Sequence, residues 1–370
     1  MTVTPLPTMR PALAGLTPMA RPAPAPPGRN APMRRMHYNE GAWPPSPRVG
    51  EAIAAAIAKG GLNRYFEGYW GALADDLAAR HGVAVDRLVC GNGSGELIQL
   101  AALALLEPGR NQVLSWPTFP RLRGSATMMG AASKTVPLRA DGSHDIDGLL
   151  AAVDEATHLV WLATPNNPTG AASSADEIVR LARELPERAV LGIDEAYWEF
   201  AAVAGGADAT RALEGLARPW FVLRTFSKAY GLAALRIGYA LCSDSGVAEA
   251  LHRVRLTFNV AGLSQVAARA ALADPDHMWR QVRHCVAERE RMAGNLGRIG
   301  VSCLPSAANF LALRLPIEAK EAQARLREKG FLVALIGAPG FERHLRVTIS
   351  TADDNDAFVE ALAAALAPPA

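Results

Sequence analysis

From about residue 86 onward, short apolar runs alternate with stretches of helical periodicity, and this alternation constrains the fold more than any other feature. The apolar runs cover 87–90, 112–116, 158–163, 189–194, 220–225 and 237–242; helix-like stretches at 96–106, 174–184 and 246–254 lie between several of them. Strands with little polar alternation are buried on both faces, and strands separated by helices pair in parallel. An α/β domain with a mostly parallel sheet between helices is therefore expected. After about residue 265 the pattern changes to a long amphipathic stretch at 277–299 and strands at 310–315, 331–335 and 344–349. Helices at 317–329 and 353–366 complete what reads as a smaller α+β domain. Chain termini in such folds lie close together, so residues 37–60 are expected to join it. The predicted organisation is a tail or arm at 1–36, a large domain at 61–265, and a small domain from 37–60 and 266–370.

The first 36 residues are rich in Pro and Ala and hold five Arg, with no acid before Glu40. Such a composition reads as a flexible tail, or as an arm that folds over a site or a partner. A net charge of +2 without a basic stripe argues against a nucleic-acid binder. No apolar run approaches the roughly 18 residues that span a bilayer. Cys90, Cys242, Cys285 and Cys303 show no CxxC spacing and the histidines no HxxxH or HxH pair. Reduced thiols in a cytoplasmic protein are expected, with no metal site.

In an open α/β sheet, ligands bind beyond the carboxyl ends of the strands. Four polar loops fall there. "GNGSGE" (Gly91–Glu96) opens a helix and reads either as a tight turn or as a phosphate cradle of backbone N–H groups. Its spacing fits neither a dinucleotide fingerprint nor a P-loop. "TPNNPTG" (Thr164–Gly170) fixes two amides between prolines. "LGIDEAY" (Leu191–Tyr197) ends an apolar run in Asp194, which either caps the next helix or, if buried, needs a cation such as a protonated ring nitrogen. "RTFSKAYGLAALRIGYA" (Arg224–Ala240) carries Lys228, one of only five lysines beside 33 arginines. Lys228 reads as a solvated surface lysine or as an amine in a cleft, where desolvation and nearby cations make it a Schiff-base nucleophile. Ser227 and Arg236 suit a phosphate. A lysine amine, phosphate donors and a buried acid together match the needs of pyridoxal 5'-phosphate.

With "NRY" at Asn63–Tyr65, these motifs make the chain resemble fold-type I pyridoxal-phosphate enzymes, and most closely the histidinol-phosphate aminotransferase family, from Tyr38 through Arg346. The resemblance implies a seven-stranded, mostly parallel sheet plus a small domain, as in aspartate aminotransferase. It implies that Lys228 bonds the cofactor and moves the proton, that Asp194 pairs with the ring nitrogen, and that Asn167 and Tyr197 contact the ring oxygen. Phe119 would stack on the ring. Ser94, Gly95, Glu96, Ser227 and Arg236 would form the phosphate side, joined by Tyr65 of the second subunit of a homodimer. Asn39 and Arg346 would face the substrate, a small amine or 2-oxo acid.

Four places depart from the family pattern: Phe119 for Tyr, Gly95 for Asp, Gly41-Ala42 for Asn-Pro, and Ala334 where a second substrate-binding arginine is usual. The last predicts an L-amino acid with an uncharged or weakly polar side chain in preference to histidinol phosphate. Arg121, Arg123 and Arg343 are the nearest arginines that could substitute. The expected activity is transamination. Its alternatives are an authentic histidinol-phosphate aminotransferase and a decarboxylase of the threonine-phosphate type. A regulator with a helix-turn-helix module is disfavoured by the Pro-rich start.

Overall fold

The computed structural model describes residues 10–16, 32–66 and 69–367. Strand β1 (Arg34–Arg35) comes first. The large sheet then takes β2 (Leu88–Gly91), β3 (Asn111–Trp116), β4 (Ala132–Pro137), β5 (Thr157–Ala163), β6 (Val190–Asp194), β7 (Trp220–Thr225) and β8 (Gly238–Cys242) in the order β2-β8-β7-β6-β5-β3-β4. Only β8 runs against the others, pairing antiparallel with both β2 and β7. Six of these strands match the apolar runs. The seventh, β4, reads Ala-Ser-Lys-Thr-Val-Pro on the sheet edge and is largely exposed, so it carries no apolar run to detect.

Both faces of the sheet are covered. Leu114, Trp161, Phe221 and Leu223 pack into one core with the helix Ser94–Leu105. Their neighbours Val113, Val160, Leu162 and Val222 pack into a second core with the helix Ala175–Glu184. Two-sided burial explains why the strands lack polar alternation. The helix Ala175–Glu184 starts at a capping box, with Ser174 and Glu177 satisfying each other's backbone N–H groups.

The smaller lobe holds β9 (Ser302–Cys303), β10 (Phe310–Arg314), β12 (Ala334–Leu335) and β13 (His344–Thr348) in an antiparallel sheet ordered β12-β13-β10-β9, with β11 (Phe331–Leu332) pairing parallel with β1. The helices Pro275–Arg298, Ala319–Glu328 and Ala352–Leu366 accompany it. The run 331–335, expected as one strand, divides at Val333 because its two halves pair with different partners.

Arg34–Met36, assigned to the tail from sequence, pairs with β11 instead, and Met36 is buried in the core. Residues 11–15 form a 3-10 turn, and Arg10 donates to the Met128 carbonyl at 2.7 Å. Residues 1–9 and 17–31 lie outside the described residues. The helix Gly262–Leu272 runs through the expected boundary at 265, and the helix Pro47–Lys59 packs on it.

Candidate active site

The carboxyl ends of β2, β3, β5, β6 and β7 converge on one cavity of about 480 Å³. β8 contributes from its other end: it runs antiparallel, so Arg236, two residues before it, reaches the same edge. The lining includes Asn39, Ser94, Gly95, Phe119, Asn167, Asp194, Tyr197, Ser227, Lys228, Arg236 and Arg346. These are eleven of the thirteen residues that the sequence singled out.

Glu96 and Tyr65 lie elsewhere. Glu96 is the third residue of its helix, and its carboxylate turns back to accept from the Asn92 N–H at 2.5 Å and from Asn259 Nδ2 at 2.8 Å. Its side chain braces the loop and is not part of the cavity lining. Tyr65 is 83% exposed and stacks on Phe258 with centroids 4.5 Å apart.

Lys228 donates to the Tyr38 carbonyl at 2.8 Å. Loss of hydration, with the Arg346 guanidinium next in size, pushes its ammonium down to about 8. Asp194 closes β6 at 6% exposure and accepts one hydrogen bond, from the Ala196 N–H at 3.1 Å. Desolvation raises its carboxyl to about 6. The adjacent Glu195 points to the opposite side, where it accepts from Arg224 Nε at 3.0 Å and Nη2 at 2.8 Å; Asp208 accepts from Nη2 as well. This buried ion cluster anchors the turn that presents Asp194.

Arg346 bonds Asn167 Oδ1 through Nη1 and the His37 carbonyl through Nη2 at 2.5 Å, leaving Nε buried without a partner. Asn39 donates from Nδ2 to the Tyr197 hydroxyl at 2.8 Å, and its backbone N–H donates to Thr348 Oγ1 at 3.0 Å. Arg236 adopts φ 49° and donates from Nη1 to Ser227 Oγ at 3.1 Å. A left-handed non-glycine residue is strained, a cost that clusters at functional sites.

Residues 35–362 match the model of the family described as aminotransferase class I and II. The chain belongs to that family. The aminotransferase is 37% identical over 333 residues to histidinol-phosphate aminotransferase 2 of Carboxydothermus hydrogenoformans, covering 89% of this chain and 90% of the relative. It is 36% identical over 329 residues to histidinol-phosphate aminotransferase of Bacillus subtilis, covering 89% and 90%. Among solved structures it is similar to histidinol-phosphate aminotransferase from Sinorhizobium meliloti in complex with pyridoxal-5'-phosphate, with a TM-score of 0.85, 31% identity, and 97% and 96% of the two chains covered. The aminotransferase is thus a pyridoxal-phosphate enzyme of fold type I, with the expected seven-stranded sheet and smaller domain.

The aminotransferase's own residues fit that cofactor. Asp194 is a buried acid with no side-chain cation bonded to it among the described residues, which suits a protonated ring nitrogen. The helix Ser94–Leu105 begins without a side-chain cap beside Ser227 and Arg236, an arrangement that suits a phosphate. Close approach of these parts requires glycine: a Cβ on Gly238 would lie 2.7 Å from the Ser94 nitrogen, and one on Gly93 would strike the Arg236 guanidinium. Sequence reasoning missed Tyr38, whose carbonyl takes the Lys228 hydrogen bond. It named Arg121 only as a substitute arginine, whereas Arg121 lines the cavity.

Proposed function

We propose that the aminotransferase moves an amino group between an L-amino acid and a 2-oxo acid, with Arg346 binding the substrate carboxylate. The observation that carries this reading is Arg346 itself: it lines the cavity with Lys228 and keeps a buried Nε unpartnered. A planar guanidinium suits one carboxylate bidentately. Ala334 pairs directly opposite Arg346 across β12 and β13, so no second guanidinium stands beside it on that strand pair. The preference for an uncharged side chain, drawn from Ala334, gives way because Arg121 also lines the cavity.

Bound pyridoxal phosphate supplies the electron sink. Lys228 supplies an amine that loses its proton near pH 8, Asp194 holds a positive ring nitrogen, and Phe119 covers the ring. Ser94, Gly95, Ser227 and Arg236 hold the phosphate, while Asn167, Tyr197 and Asn39 bond oxygen atoms. A spectral screen of amino donors for conversion of the bound cofactor to its pyridoxamine form tests the reading; a donor-driven loss of carbon dioxide in place of that conversion overturns it.

Histidinol phosphate as the donor is the second reading. It is favoured by the names of the relatives from Carboxydothermus hydrogenoformans and Bacillus subtilis. The proposed assembly is a cytoplasmic homodimer in which Tyr65 of the partner subunit completes the phosphate site. Tyr65, Leu62 and Tyr69 are large apolar side chains left 83%, 66% and 67% exposed within eight residues of sequence, which supports burial against a second copy. The four cysteines are unpaired, and among the described residues no helix is long and apolar enough to cross a membrane.

A further inference from the structure

Four cations line the active-site cavity: Arg121, Lys228, Arg236 and Arg346. Three are engaged by protein groups. Lys228 donates to the Tyr38 carbonyl, Arg236 to Ser227 Oγ and the Ala233 carbonyl, and Arg346 to Asn167 and the His37 carbonyl. Arg121 has no hydrogen bond or ion pair among the described residues, and its side chain is exposed.

Its position is fixed by the backbone. Pro120 opens the helix Pro120–Met129 and Arg121 is the second residue. The first turn holds no acid and the helix has no side-chain cap. Arg121 thus sits at the positive end of the helix dipole, where a cation is disfavoured. Facing it is Gly95, where a Cβ would lie 3.4 Å from Arg121 Cδ and Nε; glycine offers no carboxylate there. A cation kept against a helix dipole, without an acid partner, in a substrate cavity is arranged to meet an anion that arrives with the ligand. The cofactor phosphate already has Arg236, Ser227 and the N-terminus of the helix Ser94–Leu105, and the substrate carboxylate has Arg346.

We propose that Arg121 is a specificity-determining residue that binds a second anionic group of the substrate, remote from the carboxylate on Arg346. The preferred substrates then carry two anionic ends, the second a carboxylate or a phosphate. The inference rests on the transamination reading above.

The test compares the full-length holoenzyme with Arg121→Gln, Arg121→Lys and Gly95→Asp variants on two matched pairs that keep the carboxylate for Arg346: 2-oxoglutarate against 2-oxopentanoate, and O-phospho-L-serine against L-serine. The first pair reads a distal carboxylate and the second a phosphate. Cofactor affinity is measured in parallel by reconstituting the apoenzyme. The wild type is expected to favour the anionic member of at least one pair by roughly thirtyfold or more in kcat/KM, the range for a charge-assisted contact. Arg121→Gln collapses that ratio at least about tenfold, Arg121→Lys recovers part of it, and Gly95→Asp lowers it by pairing the guanidinium within the protein. A wild type without preference in either pair overturns the proposal, as does a ratio that survives Arg121→Gln. A loss of cofactor affinity with an unaltered ratio assigns Arg121 to the cofactor phosphate and also overturns it. If no amino donor in the spectral screen converts the bound cofactor to its pyridoxamine form, the function reading fails and takes this inference with it.

Discussion

Lys228 donates from Nζ to the carbonyl oxygen of Tyr38 at 2.8 Å, which ties the lysine loop after β7 to the segment ahead of the helix Pro47–Lys59. Desolvation, then the charges of Arg346 and Arg236, push the ammonium down to about 8 from 10.5, while Glu40 and Asp194 act the other way. Below pH 8 the amine is protonated and cannot attack a carbonyl; above it the amine is free. The rate of cofactor incorporation into the apoenzyme should therefore rise with pH and level off above about 8, as followed by stopped-flow absorbance. A rate that climbs steadily to pH 10 would place Lys228 in water.

Asp194 gives a prediction about stability. Its carboxyl is raised to about 6 from 3.8 by burial, so the folded apoenzyme binds that proton more tightly than the unfolded chain. The raised value favours the folded state below about pH 4, and that advantage is lost as pH rises through 6. At pH 8, Asp194→Asn should stabilise the apoenzyme by on the order of 2 kcal/mol, and at pH 3.5 the gain should vanish. The same variant should bind cofactor at least about tenfold more weakly, because the ring nitrogen loses its counter-charge. Calorimetric melting of the apoenzyme at both pH values, with a cofactor titration, checks both effects. A less stable variant at pH 8 contradicts the account of Asp194 as a buried acid awaiting a cation.

Tyr65 and Lys228 are expected to act in one site from two subunits. Mixing inactive Lys228→Ala with weakened Tyr65→Ala protein should restore up to about a quarter of the wild-type sites, since random pairing leaves some sites with both residues intact. Subunit exchange followed by an activity assay measures this. A fully active monomer in sedimentation rules out the shared site.

Ala334 and Arg346 pair across β12 and β13. Ala334→Arg should add a second guanidinium on that side and raise kcat/KM for histidinol phosphate relative to histidinol by about tenfold. An unchanged ratio in steady-state kinetics would show that position 334 does not reach the substrate.

Much of this molecule was legible because its chemistry is local. Strands buried on both faces announce themselves as apolar runs, and the polar residues that follow them fall on one sheet edge by topology alone. That logic found Asp194, Asn167 and Lys228. It failed for β4, an exposed edge strand without an apolar run, and for the run 331–335, where the pairing partners divide one apolar stretch in two. Sequence order does not tell which way a residue of the first helical turn points, and the Glu96 side chain folds back on Asn92. The Lys228–Tyr38 bond joins residues 190 positions apart through a backbone carbonyl, which no residue type signals. That Arg121 lines the cavity opposite Gly95 shows only in the folded chain.

The central claim is that Lys228 carries the cofactor. Reducing the yellow holoenzyme with borohydride fixes the Schiff base, and peptide mass mapping then locates the label. The label is predicted on Lys228 alone, with Lys228→Ala unlabelled and inactive. A label on Lys59, Lys134, Lys320 or Lys329 in the wild-type enzyme would contradict the site described above.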